Sequence, residues 1–195
     1  MKKNIVVLVL VILCAAFAVA QDAPKVSVFG GYQYVSLDTK GGDRLNFNGW
    51  DADVAFHATK NVAIVGDVSG VYKSESMTDP LLGTVTAKLR LYNYLVGPRV
   101  SFGTGKVTPF AEALFGLGHA TVGGDVSGVG SASIGSNGFA MALGGGIDIN
   151  ANQHFAVRAV KFDYLMNHVS MDAFGVSGSE NLNNYRIATG VVFKF

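Results

Sequence analysis

The chain is poor in cysteine, proline and charge. Its 195 residues include one Cys, four Pro and only 15% Asp, Glu, Lys and Arg. One cysteine excludes an internal disulfide framework and a thiolate metal site. Soluble domains usually carry about 25% charged residues, so this surface is either covered by uncharged polar groups or faces something other than water.

The 15 basic and 14 acidic residues nearly balance, and no Lys/Arg cluster follows the first three residues. We therefore expect no nucleic-acid partner.

Long apolar runs are also missing, except at the N-terminus. There, two lysines precede an apolar run over residues 5–20 that ends in Ala-Val-Ala. This pattern is typical of a secretory signal peptide. We expect residues 1–20 to be a signal peptide and residues 21–195 to form one exported domain, without cysteine because Cys14 lies in the leader. That domain has no stretch of about 20 apolar residues, so a membrane-spanning helix is excluded from it.

What the domain does contain is alternation with a period of two, which is typical of β-strands. In residues 50–58, Val54 and Phe56 fall on one face, while Asp51 and Asp53 fall on the other. Segments of this kind predict eight strands, at about 26–37, 50–58, 62–72, 86–102, 107–120, 138–150, 155–165 and 184–195.

The connections between these segments alternate between short and long. The short ones are 59–61, 103–106 and 150–154, and the long ones, rich in Gly, Ser and Asp, are 37–44, 73–85, 121–137 and 166–183. Short turns at one rim and long loops at the other are typical of transmembrane barrels. The sequence thus predicts an all-β protein, an eight-stranded antiparallel up-and-down transmembrane β-barrel, with both mature termini on the short-turn side.

Scarcity of charge also decides which face points outward. A soluble barrel would line its interior with apolar residues and would need many charges outside, which this chain lacks. We therefore expect bulky apolar side chains to face lipid and the few charges to face the lumen. The expected lumen charges are Asp51, Asp53, Asp67, Arg99, Glu112, Asp148, Arg158 and Arg186. Since an unpaired buried charge is costly, they favour an ion-paired plug, and a narrow ion path is the alternative.

One segment departs from strict alternation. Arg158 has the opposite parity to Lys161 and Asp163, so a regular strand would put either the arginine or the other two charges into lipid. A charge on the lipid face at mid-membrane costs about 2–4 kcal/mol for Arg or Lys. We therefore predict a β-bulge near Ala159-Val160 that returns all three to the lumen. The alternative is that Lys161 and Asp163 lie close enough to the membrane interface to reach water.

Aromatic residues sort by type to the two ends of the predicted strands. All seven tyrosines and Trp50 fall at the long-loop ends, and several phenylalanines, among them Phe56, Phe102, Phe155, Phe193 and Phe195, fall at the short-turn ends. Amphipathic rings gain by sitting at a bilayer interface. The distribution therefore predicts two aromatic girdles one membrane thickness apart.

Several short motifs, in their order and spacing, resemble the OmpA-like outer-membrane β-barrel domain. They are Gly30-Gly31-Tyr32, residues 94–99, residues 144–148, Arg158 with Asp163-Tyr164, and Tyr185-Arg186 leading to residues 190–195. The resemblance implies the outer membrane of a Gram-negative-type bacterium, with the termini in the periplasm. It also implies that Tyr185, Phe193 and Phe195 form the signal read by the barrel-assembly machinery. Expected partners are outer-membrane lipid, that machinery and a surface partner at the long loops.

Residues with catalytic or metal-binding chemistry are few. The four histidines show no ligand spacing, so we expect no metal and no cofactor. His168-Val169-Ser170 with Glu180 resembles the His-x-Ser and downstream Glu of outer-membrane lipid A deacylases, in which His activates Ser for acyl attack. Three hypotheses remain. They are a non-enzymatic barrel with a structural or surface role, a narrow porin-like channel for ions or small solutes, and, as the weakest, a lipid hydrolase.

Overall fold

The protein is an eight-stranded closed barrel in which every strand pairs antiparallel with its neighbours and β1 pairs with β8. The computed structural model describes residues 25–38, 44–79, 83–103, 105–126, 130–173 and 176–195. The strands are β1 (Val26–Asp38), β2 (Arg44–His57), β3 (Val62–Asp79), β4 (Gly83–Ser101), β5 (Val107–Val126), β6 (Gly130–Asn150), β7 (Phe155–Ala173) and β8 (Val176–Lys194). The predicted fold class is confirmed.

The two rims of the barrel differ. At one rim, which we call the turn rim, short connections join β2 to β3, β4 to β5 and β6 to β7. Both ends of the described chain also lie there, because Val26 and Phe195 exchange backbone hydrogen bonds. The opposite rim, which we call the loop rim, carries the other connections, whose tips lie outside the described residues. The expected signal peptide also lies outside them.

The strands are longer than the alternation in the sequence predicts. β5 and β6 have 20 and 21 residues, whereas about 9–11 are enough to cross a bilayer. The excess lies toward the loop rim, where most of the expected loops 73–85, 121–137 and 166–183 are strand. Their Gly- and Ser-rich composition suggested loops. The structure corrects this because the arms of each hairpin continue the same ladder of backbone hydrogen bonds past the apolar zone.

The faces are arranged as predicted. Val54, Phe56, Val191 and Phe193 are exposed on the outer wall, and Asp53 and Arg186 are buried inside. Tyrosines and Trp50 form an exposed band toward the loop rim, which Phe139 joins at the level of Tyr94. Phe56, Phe102, Phe193 and Phe195 form another band at the turn rim. Within the described residues, no helix is long and apolar enough to cross a membrane.

Some bulky apolar residues depart from this rule and fill the lumen. Phe29, Phe110 and Leu114 are buried there, which corrects the prediction that bulky apolar side chains face lipid. The two rings fit because glycines lie beside them. A Cβ on Gly31 would lie 2.8 Å from Phe29 Cζ, and one on Gly146 would lie 2.7 Å from Phe110 Cζ. The missing side chains therefore leave the space that each ring occupies.

Candidate functional site in the barrel lumen

Lys161 is the centre of an ionic network that fills the middle of the lumen. Its side chain is fully buried. Its Nζ donates to Asp67 Oδ2 at 2.7 Å and lies 3.1 Å from Asp51 Oδ2 and 3.2 Å from Glu112 Oε1. These acids stand on β3, β2 and β5, so one ammonium group gathers carboxylates from three walls of the barrel.

Two arginines extend the network toward the turn rim by sharing one carboxylate. Arg158 Nη1 donates to Asp53 Oδ2 at 2.6 Å, and its Nε donates to Asp148 Oδ1 at 2.8 Å. Arg99 donates to both oxygens of Asp53, at 3.2 and 2.8 Å, and its Nε donates to Glu112 at 2.7 Å. Asp53 therefore joins β4 to β7 across the lumen.

A third arginine closes the network on the side of the loop rim. Arg186 Nε donates to Asp163 Oδ2 at 2.7 Å on the neighbouring strand β7. Its Nη1 donates to Asp67 Oδ1 at 3.0 Å and to the hydroxyl of Ser69 at 3.2 Å, both on β3. Asp67 thus binds both Lys161 and Arg186.

The lumen phenylalanines are part of this site. The Arg158 guanidinium carbon lies 4.3 Å from the ring centroid of Phe29 and 4.6 Å from that of Phe110. Arg99 lies 4.7 Å from the Phe110 centroid. These distances are those of cation–π contacts, which are strongest where water is excluded. The signal in the sequence was the inward parity of Phe29, which shares its face with Ser27, Gly31 and Gln33.

A β-bulge brings Arg158 and Lys161 to the same face. Thr189 is the one residue of β8 that lies between the partners of Arg158 and Lys161, so Ala159 and Val160 together oppose it. Both bulge residues are exposed on the outer wall. The hydroxyl of Thr189 donates to the Arg158 carbonyl at 3.0 Å. The predicted bulge is confirmed at the expected position, and the alternative that Lys161 and Asp163 reach the interface is wrong, because both are fully buried.

All eight charges expected in the lumen take part in ion pairs, and so do Lys161 and Asp163, which the predicted bulge was expected to return to the lumen. Among these ten residues, six are acids and four are cations. Asp51 is the weakest partner: neither of its oxygens accepts a hydrogen bond within the described part of the chain. The network therefore has more carboxylates than its cations neutralise one for one.

Two further layers lie between the network and the loop rim. The first contains buried amides, including Gln33, Asn93, Asn167 and Asn184. The second is an apolar cluster of Val35, Phe47, Val71 and Leu91, against which Leu89 and Ala120 pack. Both the ionic and the apolar layers consist of side chains from several strands that meet inside the barrel.

The suggested His-Ser-Glu constellation does not lie in a loop as expected. His168 and Ser170 belong to β7, and Glu180 belongs to β8, where it pairs with Val169. The side chains of Ser170 and Glu180 lie outside the described residues. In the part of the chain that the structure describes, no group of three or more His, Cys, Asp or Glu side chains is arranged to hold a metal ion.

Comparison with known proteins gives one family and several solved structures. The family model for the outer membrane protein beta-barrel domain matches residues 5–195. No curated protein matches the chain in sequence.

Among solved structures, Ail, the attachment invasion locus protein of Yersinia pestis, superposes with a TM-score of 0.61 at 16% identity, covering 89% of this chain and 100% of that chain. Neisserial surface protein A gives a TM-score of 0.61 at 14% identity over 90% and 100% of the two chains. OprG from Pseudomonas aeruginosa gives 0.51 at 13% identity over 90% and 98%. At these identities the likeness concerns the fold alone.

Proposed function

Because the chain belongs to the family of outer membrane protein β-barrel domains, we propose that it is a non-enzymatic barrel of the outer membrane whose lumen is closed to ions. The observation that carries this proposal is the contact between Lys161 on β7 and Asp67 on β3. These strands are four places apart in a ring of eight, so the pair spans the whole diameter.

Two other bridges support a closed lumen. Arg158 on β7 reaches Asp53 on β2, and Arg186 on β8 reaches Asp67 on β3. The interior of an eight-stranded barrel is just wide enough for its side chains to fill. A hydrated ion would have to separate these pairs, and leaving a buried charge unpaired costs about 3–5 kcal/mol.

The roles that remain for a closed barrel are a structural one and an interaction with a partner at its surface. We propose that the turn rim faces the periplasm and that the residues around 37–44, 73–85, 121–137 and 166–183 form the outer contact surface. The length of the strands supports this, because the hydrogen-bonded strands extend past the apolar zone on the side of the loop rim. Residues on exposed connections of a rigid scaffold are well placed for binding.

Single-channel recording in planar bilayers tests the closed lumen. The wild-type protein should give no steady openings, whereas the Lys161→Ala variant, which removes the central cation, should conduct. Lys88→Ala is the matched control, since Lys88 lies near the loop rim and its ion pair with Asp125 is exposed and 3.8 Å long. Steady wild-type openings that change with Lys161 but not with Lys88 would replace this proposal with the narrow channel.

A further inference from the structure

A cavity of about 780 Å³ opens at the turn rim, and we call it the vestibule. Its inner end is formed by Arg99 and Asp148, which belong to the ionic network. Its opening is edged by the short turns that carry Lys60 and Lys106, and Lys194 lines its wall. The vestibule is therefore a cup whose base is the plugged part of the lumen.

The charges that line the vestibule are strongly unequal. Four of the lining residues are lysine or arginine, namely Lys60, Arg99, Lys106 and Lys194, and Asp148 is the only Asp or Glu among the lining residues of the described chain. Arg99 is already bound by Asp53 and Glu112, and Asp148 by Arg158. Three lysines thus outnumber the two carboxylates left in the lining, which are Asp148, already shared with Arg158, and the terminal carboxylate of Phe195.

One of these lysines is held in place by its neighbours. Lys194 Nζ donates to Asn150 Oδ1 at 2.5 Å, and the Asn150 amide nitrogen donates to Gly105 O at 2.6 Å and to Thr108 Oγ1 at 3.0 Å. Ser27 is the register partner of Lys194 on the adjacent strand β1, and its Oγ forms a 3.1 Å hydrogen bond with His57 Nε2. Lys194 is half-buried, so its charge is less screened than that of an exposed lysine.

We propose that the vestibule is a binding site for a small solute that carries two or more phosphate groups. Cavities of about 300–1,000 Å³ are typical of small-molecule sites, and the mouth of a barrel is one of their usual places. Lysine binds phosphate as a point charge and needs no fixed orientation. A cup with low-dielectric walls and an excess of one sign of charge also concentrates oppositely charged solutes. Several lysines around one cavity favour a ligand with more than one anionic group.

Calorimetric titration with inorganic pyrophosphate tests this inference. The probe is added to the folded full chain in uncharged detergent micelles at low ionic strength, where charge screening is weakest. The wild-type protein should bind with one saturable site. Lys194→Gln should weaken binding by about tenfold or more, as expected when a hydrogen bond to a charged group is lost. Lys194→Arg, which keeps the charge, should retain most of the affinity.

Two further variants make the result decisive. Lys60 lines the vestibule, but it is exposed in a turn and does not contribute to the barrel wall. Lys60→Gln therefore removes one vestibule cation without disturbing the fold, so the test stays valid if the Lys194 variants fail to fold. Lys88→Gln removes one cation near the opposite rim and should leave binding unchanged. Absence of saturable binding, or an equal loss in the Lys88 variant, would overturn the inference. The titration does not depend on whether the lumen conducts, so its outcome is separate from that of the bilayer recording.

Discussion

Lys161 Nζ lies 2.7 Å from Asp67 Oδ2, and the two residues face each other across the full width of the barrel. Neither is a neighbour of the other in any strand ladder. Their contact exists because the bulge at Ala159 and Val160 turns Lys161 inward. One local irregularity in β7 therefore supplies the central cation of the lumen.

The first prediction concerns that cation. Lys161→Met keeps much of the volume but leaves Asp67, Asp51 and Glu112 without their shared ammonium group. Breaking a buried ion pair from one side costs about 3–5 kcal/mol, so the free energy of unfolding in lipid vesicles should fall by about that amount. Lys88→Met, which breaks an exposed pair, should cost no more than about 1 kcal/mol. Equal losses in the two variants would show that the network does not stabilise the barrel.

The second prediction compares two acids on β2. Asp53 accepts hydrogen bonds from Arg99 and Arg158, whereas Asp51 accepts none within the described residues. Asp53→Asn should therefore lower the free energy of unfolding by about 3–5 kcal/mol. Asp51→Asn should cost about 1 kcal/mol or less, because it removes one of the excess carboxylates. Urea titration of both variants measures the difference, and a larger loss for Asp51 would contradict the assignment.

The third prediction tests the bulge. Deleting Ala159 makes β7 regular, so Arg158 moves to the lipid face or Lys161 does. Either change costs about 2–4 kcal/mol for the charge in lipid, in addition to the loss of its carboxylate partners. The folded fraction, read from the difference in gel migration between unheated and heated samples, should drop sharply. Deleting Gln153 from the turn between β6 and β7 is the control and should fold as the wild type does.

The fourth prediction uses two adjacent glycines of β1. A Cβ on Gly31 would meet the Thr189 carbonyl oxygen and would lie 2.8 Å from Phe29 Cζ, whereas a Cβ on Gly30 meets nothing within 4 Å. Gly31→Ala should destabilise the barrel by about 1–3 kcal/mol through overpacking, and Gly30→Ala should have little effect. Thermal unfolding of the two variants compares them directly. Equal shifts of the thermal unfolding midpoint in the two variants would show that the space beside Phe29 is not the reason for glycine at position 31.

The fifth prediction concerns orientation. A membrane-impermeant maleimide applied to intact cells should label a Lys88→Cys variant and leave a Lys106→Cys variant unlabelled, because Lys106 lies at the turn rim and we place that rim in the periplasm. Permeabilised cells should show labelling of both. The reverse pattern on intact cells would place the turn rim outside.

The sequence predicted the fold and the inward faces because both depend on a simple period. Asp53 and Arg186 lie inside, as their parity indicated, and the conflict in parity between Arg158 and Lys161 located the bulge. The individual ion pairs could not be predicted from the sequence, because Lys161 and Asp67 are separated by half the circumference and meet only when the barrel closes. The inward position of Phe29 and Phe110 was not predicted: the parity of Phe29 indicates the inner face, but the space beside Gly31 and Gly146 into which the two rings fit is not apparent from the sequence.

Contacts that span the barrel bear on how the protein enters its membrane. Asp67 lies on β3, while Lys161 and Arg186 lie on β7 and β8, so these charges meet only after the last strands have been added and β8 has joined β1. A half-finished sheet would present them to hydrocarbon at about 2–4 kcal/mol each for Lys or Arg. Insertion and ring closure should thus happen together, in one cooperative step without a stable partly inserted intermediate.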